Sequence, residues 1–155
     1  MRKLGLIGLL ALLSSLFVVG FVQSQTIDRK QLRDILVQLG YEVNDVVKDA
    51  GKEKYSAKFT NDGLDIPVGF EISPSGAYIW LTVNLGEAPT TPTQKCLDLL
   101  KQNSKVQPTF FYITDSGRLM AALPIENRGV TNAILKTRSE TIAANVGKTK
   151  RFWQN

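Results

Sequence analysis

The 155 residues contain no histidine and a single cysteine, Cys96. Without imidazole, the usual general base, the Ser–His and Cys–His nucleophile pairs and the commonest metal ligand all disappear together. One thiol cannot close an intramolecular disulfide, so the fold must be held by packing. Cys96 falls on the apolar stripe of a helix pattern, where a buried structural thiol is expected rather than a reactive one. Glycines stand singly at turns and helix ends, and no cluster leads from a strand into a helix as phosphate binding requires. Carboxylates come nearest to pairing at Asp62 with Asp65 and at Asp45 with Asp49, beside turns whose formation already accounts for them. "NDGLD" echoes a calcium loop but lacks the alternating ligands and the closing glutamate. These absences argue against an enzyme, and no catalytic residue, metal ligand set or cofactor is expected.

What is present first is a leader. Arg2 and Lys3 precede a run from Leu4 to Val22 without charge, and Val22 and Ser24 suit positions −3 and −1 of a signal peptidase site. The alternative is an uncleaved anchor, since the run approaches the ~20 residues of a membrane span. Cleavage is the expectation, because Gly5, Gly8, Ser14, Ser15 and Gly20 dilute the run and Gln23-Ser24-Gln25 ends it without a basic flank. Residues 1–24 then form a signal peptide and residues 25–155 a single domain of 131 residues, exported to the periplasm or beyond.

Without Arg2 and Lys3, the 19 basic residues fall to 17 against 14 acidic ones, a net charge of +3. Six of the 17 (Arg128, Lys136, Arg138, Lys148, Lys150, Arg151) follow Asn127, against Glu140 alone. Such a segment can meet an anionic lipid surface or an acidic partner, or it can be a solvated helix face. Nucleic acid is not expected as a partner of an exported chain this weakly basic.

Along the domain, "TIDRKQLRDILVQLG" reads as a helix capped by Thr26 or Asp28, with Leu32, Ile35, Leu36 and Leu39 on one face and Gly40 as the stop. "YEVNDVVK" and "YSAKF" are strand candidates, and "TNDG" is hairpin chemistry. Leu64, Ile66, Val68, Phe70 and Ile72 alternate with Asp65, Pro67, Gly69 and Glu71. Pro67 cannot donate to a ladder, so that strand should lie at an edge or be irregular there. After "SPSG", the residues Ile79, Leu81, Val83 and Leu85 take the core side, leaving Tyr78, Trp80, Thr82 and Asn84 opposite. A second helix is expected from Thr91 as cap and Pro92 as first residue, with Gln94 completing a capping box and Cys96, Leu97, Leu99 and Leu100 buried. The hairpin "PTFFYIT…RLMAALPI" follows. Thr131 then caps a third helix with Ile134, Leu135, Ile142 and Val146 on its apolar side, closed by Gly147. Adjacent strands rather than strand–helix alternation imply an α+β domain, with a mostly antiparallel sheet of five to six strands and three helices.

Three stretches carry a likeness: the opening helix ending in "LGYEV", the strand pair "VGFEISPSGAYIWLTVNLG", and "FFYITDSGRLMAALPIENRGVTNAILK" with its terminal "KRFW". On these the chain resembles the YbjN-like family, whose fold is that of type III secretion chaperones. The resemblance implies helices on a curved antiparallel sheet, no catalytic residues, frequent dimers, and binding of polypeptides through apolar grooves and exposed sheet. The chain departs from the secretion chaperones in its leader and its basic charge, so the scaffold is what carries over.

Tyr78 and Trp80 would then lie on the outer sheet face, joined by Phe110 and Tyr112 or else by Phe111, depending on register. Tyr78, Trp80 and Tyr112 are the candidate partner-binding residues, since aromatic residues concentrate at binding hot spots. Their occupant is a protein partner or a second copy of the chain; the alternative is that the Phe152–Trp153 tail covers them. The competing function is an envelope protein that binds a small ligand or lipid in a helix–sheet groove, helped by the basic C-terminal segment.

Overall fold

The computed structural model describes residues 25–91 and 93–154; residues 1–24, where a leader is expected, Pro92 and Asn155 lie outside the described residues. The elements run α1 (Arg29–Gln38), β1 (Val43–Val47), β2 (Lys54–Asn61), β3 (Leu64–Ile72), β4 (Tyr78–Glu87), α2 (Gln94–Gln102), β5 (Phe110–Ile113), β6 (Arg118–Glu126), α3 (Asn132–Lys148) and the single turn α4 (Lys150–Trp153). All strand pairs are antiparallel, in one six-stranded sheet of order β1-β2-β3-β4-β6-β5. The fold is the α+β class that the strand and helix patterns imply.

Local chemistry accounts for the boundaries. Asp28 caps α1, accepting from the Gln31 backbone N–H while the Gln31 side chain accepts from the Asp28 N–H, a closed capping box. Asp62 and Gly63, both at positive φ, make the two-residue turn between β2 and β3, because that turn's twist matches the strands it joins. Alternation then sorts each strand. Ile66, Val68 and Phe70 of β3 and Ile79, Leu81 and Val83 of β4 are buried against Leu32 and Leu36 of α1 and Leu135, Ile142 and Val146 of α3. At ~25 cal/mol per Å² of apolar surface removed from water, this layer contributes most of the stabilisation.

Pro67 resolves differently from either expectation. β3 is interior, yet its register with β4 ends at Gly69↔Thr82, while its pairing with β2 runs on through Lys58↔Pro67. Pro67 therefore sits where the strand has only one neighbour, so its missing N–H breaks no ladder.

Three other details depart from the sequence pattern. α2 begins at Gln94 with Thr93, not Thr91, as its cap: the Thr93 hydroxyl accepts from the Cys96 N–H, and the Gln94 side chain donates to Asp98 instead of closing a box. Of its apolar stripe only Leu99 is fully buried; Cys96 is half-buried, and Leu97 and Leu100 are 49% and 55% exposed. Gly147 does not stop α3. It is buried within the helix and faces Asn61, whose amide oxygen occupies the space a Cβ would need. The missing side chain lets α3 approach the end of β2.

Asn127, between β6 and α3, is 2% exposed. Its amide accepts from Ile27 N (3.1 Å) and donates to Ile27 O (2.9 Å) and Gly76 O (2.8 Å), and Gly129 N donates to Gln25 O. The side chain thus imitates a strand neighbour and ties residues 25–27 and the β3–β4 turn to the end of β6.

Candidate partner-binding face

Burial of Ile79, Leu81 and Val83 turns Tyr78, Trp80, Thr82 and Asn84 away from the helices. Registers Trp80↔Pro124, Thr82↔Ala122 and Asn84↔Met120 put the even residues of β6 on that same face. Phe110↔Ala122 and Tyr112↔Met120 then add Phe110 and Tyr112, while Phe111 enters the core at 3% exposure. The register left open by alternation is settled: Tyr78, Trp80 and Tyr112 share a face, with Phe110 completing the row.

The four rings form a chain. Tyr78 and Trp80 are 6.3 Å apart between centroids, Trp80 and Phe110 meet edge-on at 6.3 Å, and Phe110 and Tyr112 are 5.7 Å apart. These are the separations at which aromatic quadrupoles attract. Ala122, on the same face, is 1% exposed although it stands outside the main core; Phe110 opposite it and Trp80 one pair along account for the cover. Tyr78 is the most exposed of the four. The Phe152–Trp153 tail does not lie over them, since α4 packs on α2 and α3 and Trp153 donates its indole N–H to Val146 O.

Two hollows extend the row across the sheet. One, of about 280 Å³, lies among Val46, Gly69, Glu71, Thr82, Tyr112 and Met120. The other, of about 320 Å³, lies among Arg29, Glu53, Glu71, Pro74 and Trp80. The Lys54–Glu71 ion pair lines both. Gly69 forms part of the first floor, where a Cβ would come within 2.9 Å of Thr82 Oγ1. In the second, Arg29 Nε and Glu53 Oε2 face each other at 3.5 Å, both closed to solvent and without a directed hydrogen bond.

The charges on this face compensate each other. Lys58 holds Asp65 at 3.1 Å with the Thr60 hydroxyl at 3.0 Å, and these hydrogen bonds keep the Asp65 carboxyl below its ordinary value. Burial raises the Tyr112 phenol above its usual range, and the Glu71 carboxylate adds to the rise while Lys54 opposes it. What remains for recognition is aromatic surface and hollow shape, with little net charge.

The chemistry-bearing residues lie elsewhere and apart. Asp62 pairs with Lys150 at 2.6 Å and Asp45 with Arg33 at 2.8 Å, so each is engaged by a cation. Among the described residues, no group of three or more acidic or cysteine side chains is placed to hold a metal ion. Sequence reasoning missed Phe110 as a certain member, the two hollows, and Val46, which the β1 bulge between Asp45 and Val47 leaves 61% exposed; none has a signal in alternation alone.

No family model and no curated protein matches the chain. Solved structures of similar fold do. A chain of the heterodimeric ExoU–SpcU complex from the type III secretion system of Pseudomonas aeruginosa matches with a TM-score of 0.55 at 18% identity, covering 78% of this chain and 96% of that one. A chain of the HopA1–SchA chaperone–effector complex matches with a TM-score of 0.51 at 15% identity, covering 83% and 99%. At these identities the likeness is one of fold: the domain has a type III secretion chaperone-like fold.

Proposed function

We propose that this protein is a non-catalytic protein-binding module of YbjN type, exported to the bacterial envelope after cleavage behind Ser24. Its outer sheet face, anchored by Tyr78, Trp80, Phe110 and Tyr112, receives another polypeptide or a second copy of the chain. The observation that carries this reading is the aromatic row on a face that no helix among the described residues covers. Antiparallel sheets normally turn polar residues to water, and four contiguous rings there lower their free energy by meeting a partner. The likeness to chains from a chaperone–effector complex and from the ExoU–SpcU heterodimer supports a polypeptide as the occupant. The absence of histidine and the ion-paired carboxylates favour binding over catalysis. Arg128, Arg138 and Lys148 enter no ion pair among the described residues, which favours contact between the C-terminal segment and an anionic membrane surface.

The test is photo-crosslinking in the native envelope from probes placed at Tyr78, Trp80 and Tyr112, with a control probe at the exposed Val37 of α1. Crosslinks to a polypeptide from the sheet positions alone are expected, their mass separating self-association from a second protein. Equal crosslinking from Val37, or capture unchanged by Trp80→Ala, would overturn the assignment.

A further inference from the structure

The way α2 is seated opens a cavity on the helical side of the sheet. Leu99 is the only residue of α2 that is fully buried, and the Asn103 amide at the helix's C-terminal end is bonded to Phe111 N and O, which leaves space beside the first turn. The β4 ladder is irregular between Asn84 and Gly86, and Gly86 has no side chain to fill the gap. The result is a cavity of about 410 Å³ walled by Leu85, Leu99, Leu119, Phe152 and Trp153, with Cys96 on the α2 side. That size falls in the range of small-molecule sites, ~300–1,000 Å³, and the wall joins leucine and aromatic side chains to the polar Thr93, Lys95 and Glu87. The Trp153 ring is fixed by its 3.1 Å bond to Val146 O.

The cavity also has a charged rim. Lys95 is exposed there, and its ammonium has no carboxylate within ion-pair distance among the described residues; its one hydrogen bond is a long 3.4 Å contact to Gln154 O. Glu87, on the same rim, points its charge into solvent and toward Arg118, 3.9 Å away. Leucine and aromatic walls beside a cation with no ion pair among the described residues are complementary to an apolar chain that ends in an anion.

We propose that this cavity binds a long-chain monocarboxylate, with its alkyl chain between Leu99 and Trp153 and its carboxylate on Lys95. This site is separate from the aromatic face and does not rest on the protein-binding reading.

The experiment uses protein expressed from the full chain and carrying Trp80→Phe, so that Trp153 is the only indole. Dodecanoate and 1-dodecanol are titrated below the concentration at which either aggregates, with Trp153 emission and maleimide labelling of Cys96 as readouts. Dodecanoate should shift the emission saturably at one equivalent per chain and protect Cys96. Lys95→Glu should weaken dodecanoate by about tenfold, the loss of one charge-assisted hydrogen bond, and leave 1-dodecanol within about twofold. Cys96→Phe should fill the well and abolish both; if that variant fails to fold, Lys95→Glu, on the exposed rim, still decides the matter. No saturable shift, no protection of Cys96, or equal effects of Lys95→Glu on the two probes would overturn the proposal.

Discussion

Leu81 and Trp80 are chain neighbours on opposite faces of β4, and replacing each by alanine separates core from binding surface. Leu81 is fully buried and pairs with Phe70 and Leu123, themselves 1% and 0% exposed. Leu81→Ala leaves a void in the core between sheet and helices, so a loss of about 2–5 kcal/mol is expected. Trp80 is half-buried. Its removal forfeits two ring contacts, to Tyr78 and Phe110, at about 0.5–1.5 kcal/mol each. It also uncovers Ala122, so Trp80→Ala should cost the isolated domain about 1–3 kcal/mol, less than Leu81→Ala in the same urea titration. In partner capture or sedimentation the order reverses. An anchor of this type is worth ~2 kcal/mol or more at an interface, and every 1.4 kcal/mol is about tenfold in Kd. Leu81→Ala, where still folded, should bind almost normally. If Trp80→Ala unfolds the domain at every protein concentration as badly as Leu81→Ala, the ring belongs to an intramolecular core and the binding face does not exist. If it alters neither stability nor association, Trp80 is not an anchor.

Asn127→Ala should cost about 3 kcal/mol by urea unfolding, because it strands the Ile27 N–H and two carbonyls near the chain entry; a loss below about 1 kcal/mol would mean that water replaces the amide. Stability should be level from about pH 5 to 9, since no histidine titrates there. Below that window, Asp45, Asp65 and Asp98 are held under 3.8 by hydrogen bonds from Arg33, Lys58 and Lys101. The unfolded chain takes up those protons first, so stability falls as pH drops below 3.8 toward the folded-state values. Above it, burial raises the phenols of Tyr41, Tyr55 and Tyr112, so the folded chain keeps protons that the unfolded one loses, and stability falls as pH climbs past 10.0. A melting temperature that moves between pH 6 and 8 would expose an unrecognised titrating group (on the order of one unit around neutrality is the span histidine would occupy). Reductant and chelator should leave the melting temperature unchanged, and a drop with either would reveal an intermolecular disulfide or a bound metal.

How much of this was legible follows from what each residue reports. Alternation in β3 and β4 reads directly, because one wrong step would bury Asp65 or Glu71 and expose Phe70. Helical spacing leaves the α1 cap open between Thr26 and Asp28, and the structure chooses Asp28, with Gln31 closing a box that the sequence reading does not include. The choice between Phe110 and Phe111 is open in the same way: in "TFFYI" both parities are aromatic, and only pairing with Ala121 and Ala122 decides which ring enters the core. Asn127 and Gly147 are invisible for the same reason. Asn127 carries no signal until Ile27, a hundred positions away, is placed beside it. Gly147 looks like a helix stop until Asn61 fills the space where its side chain would be. The stripe on α2 misled because spacing says which residues share a face, not whether the sheet beneath is wide enough to cover them.

That last point bears on what the two layers can do. β2 and β3 obey the ordinary rule for a solvated face, with Lys54–Glu71 and Lys58–Asp65 paired across them. β4 and β5 break it where their rings line up across β6, from Tyr78 opposite Glu126 to Phe110 opposite Ala122. A sheet that was merely greasy would scatter apolar groups over all its strands; here the rings are confined to one side and the hollows continue from them toward the compensated charges. The helical layer shows the opposite economy. Two of its exposed apolar groups, Leu97 and Leu100, sit on the helix that buries only Leu99 fully, and Lys95, without an ion pair among the described residues, stands beside the space which that seating leaves. One face is therefore shaped for a broad, uncharged contact and the other for a single chain with one negative end, so occupancy of either can be removed by substitution without touching the residues of the other.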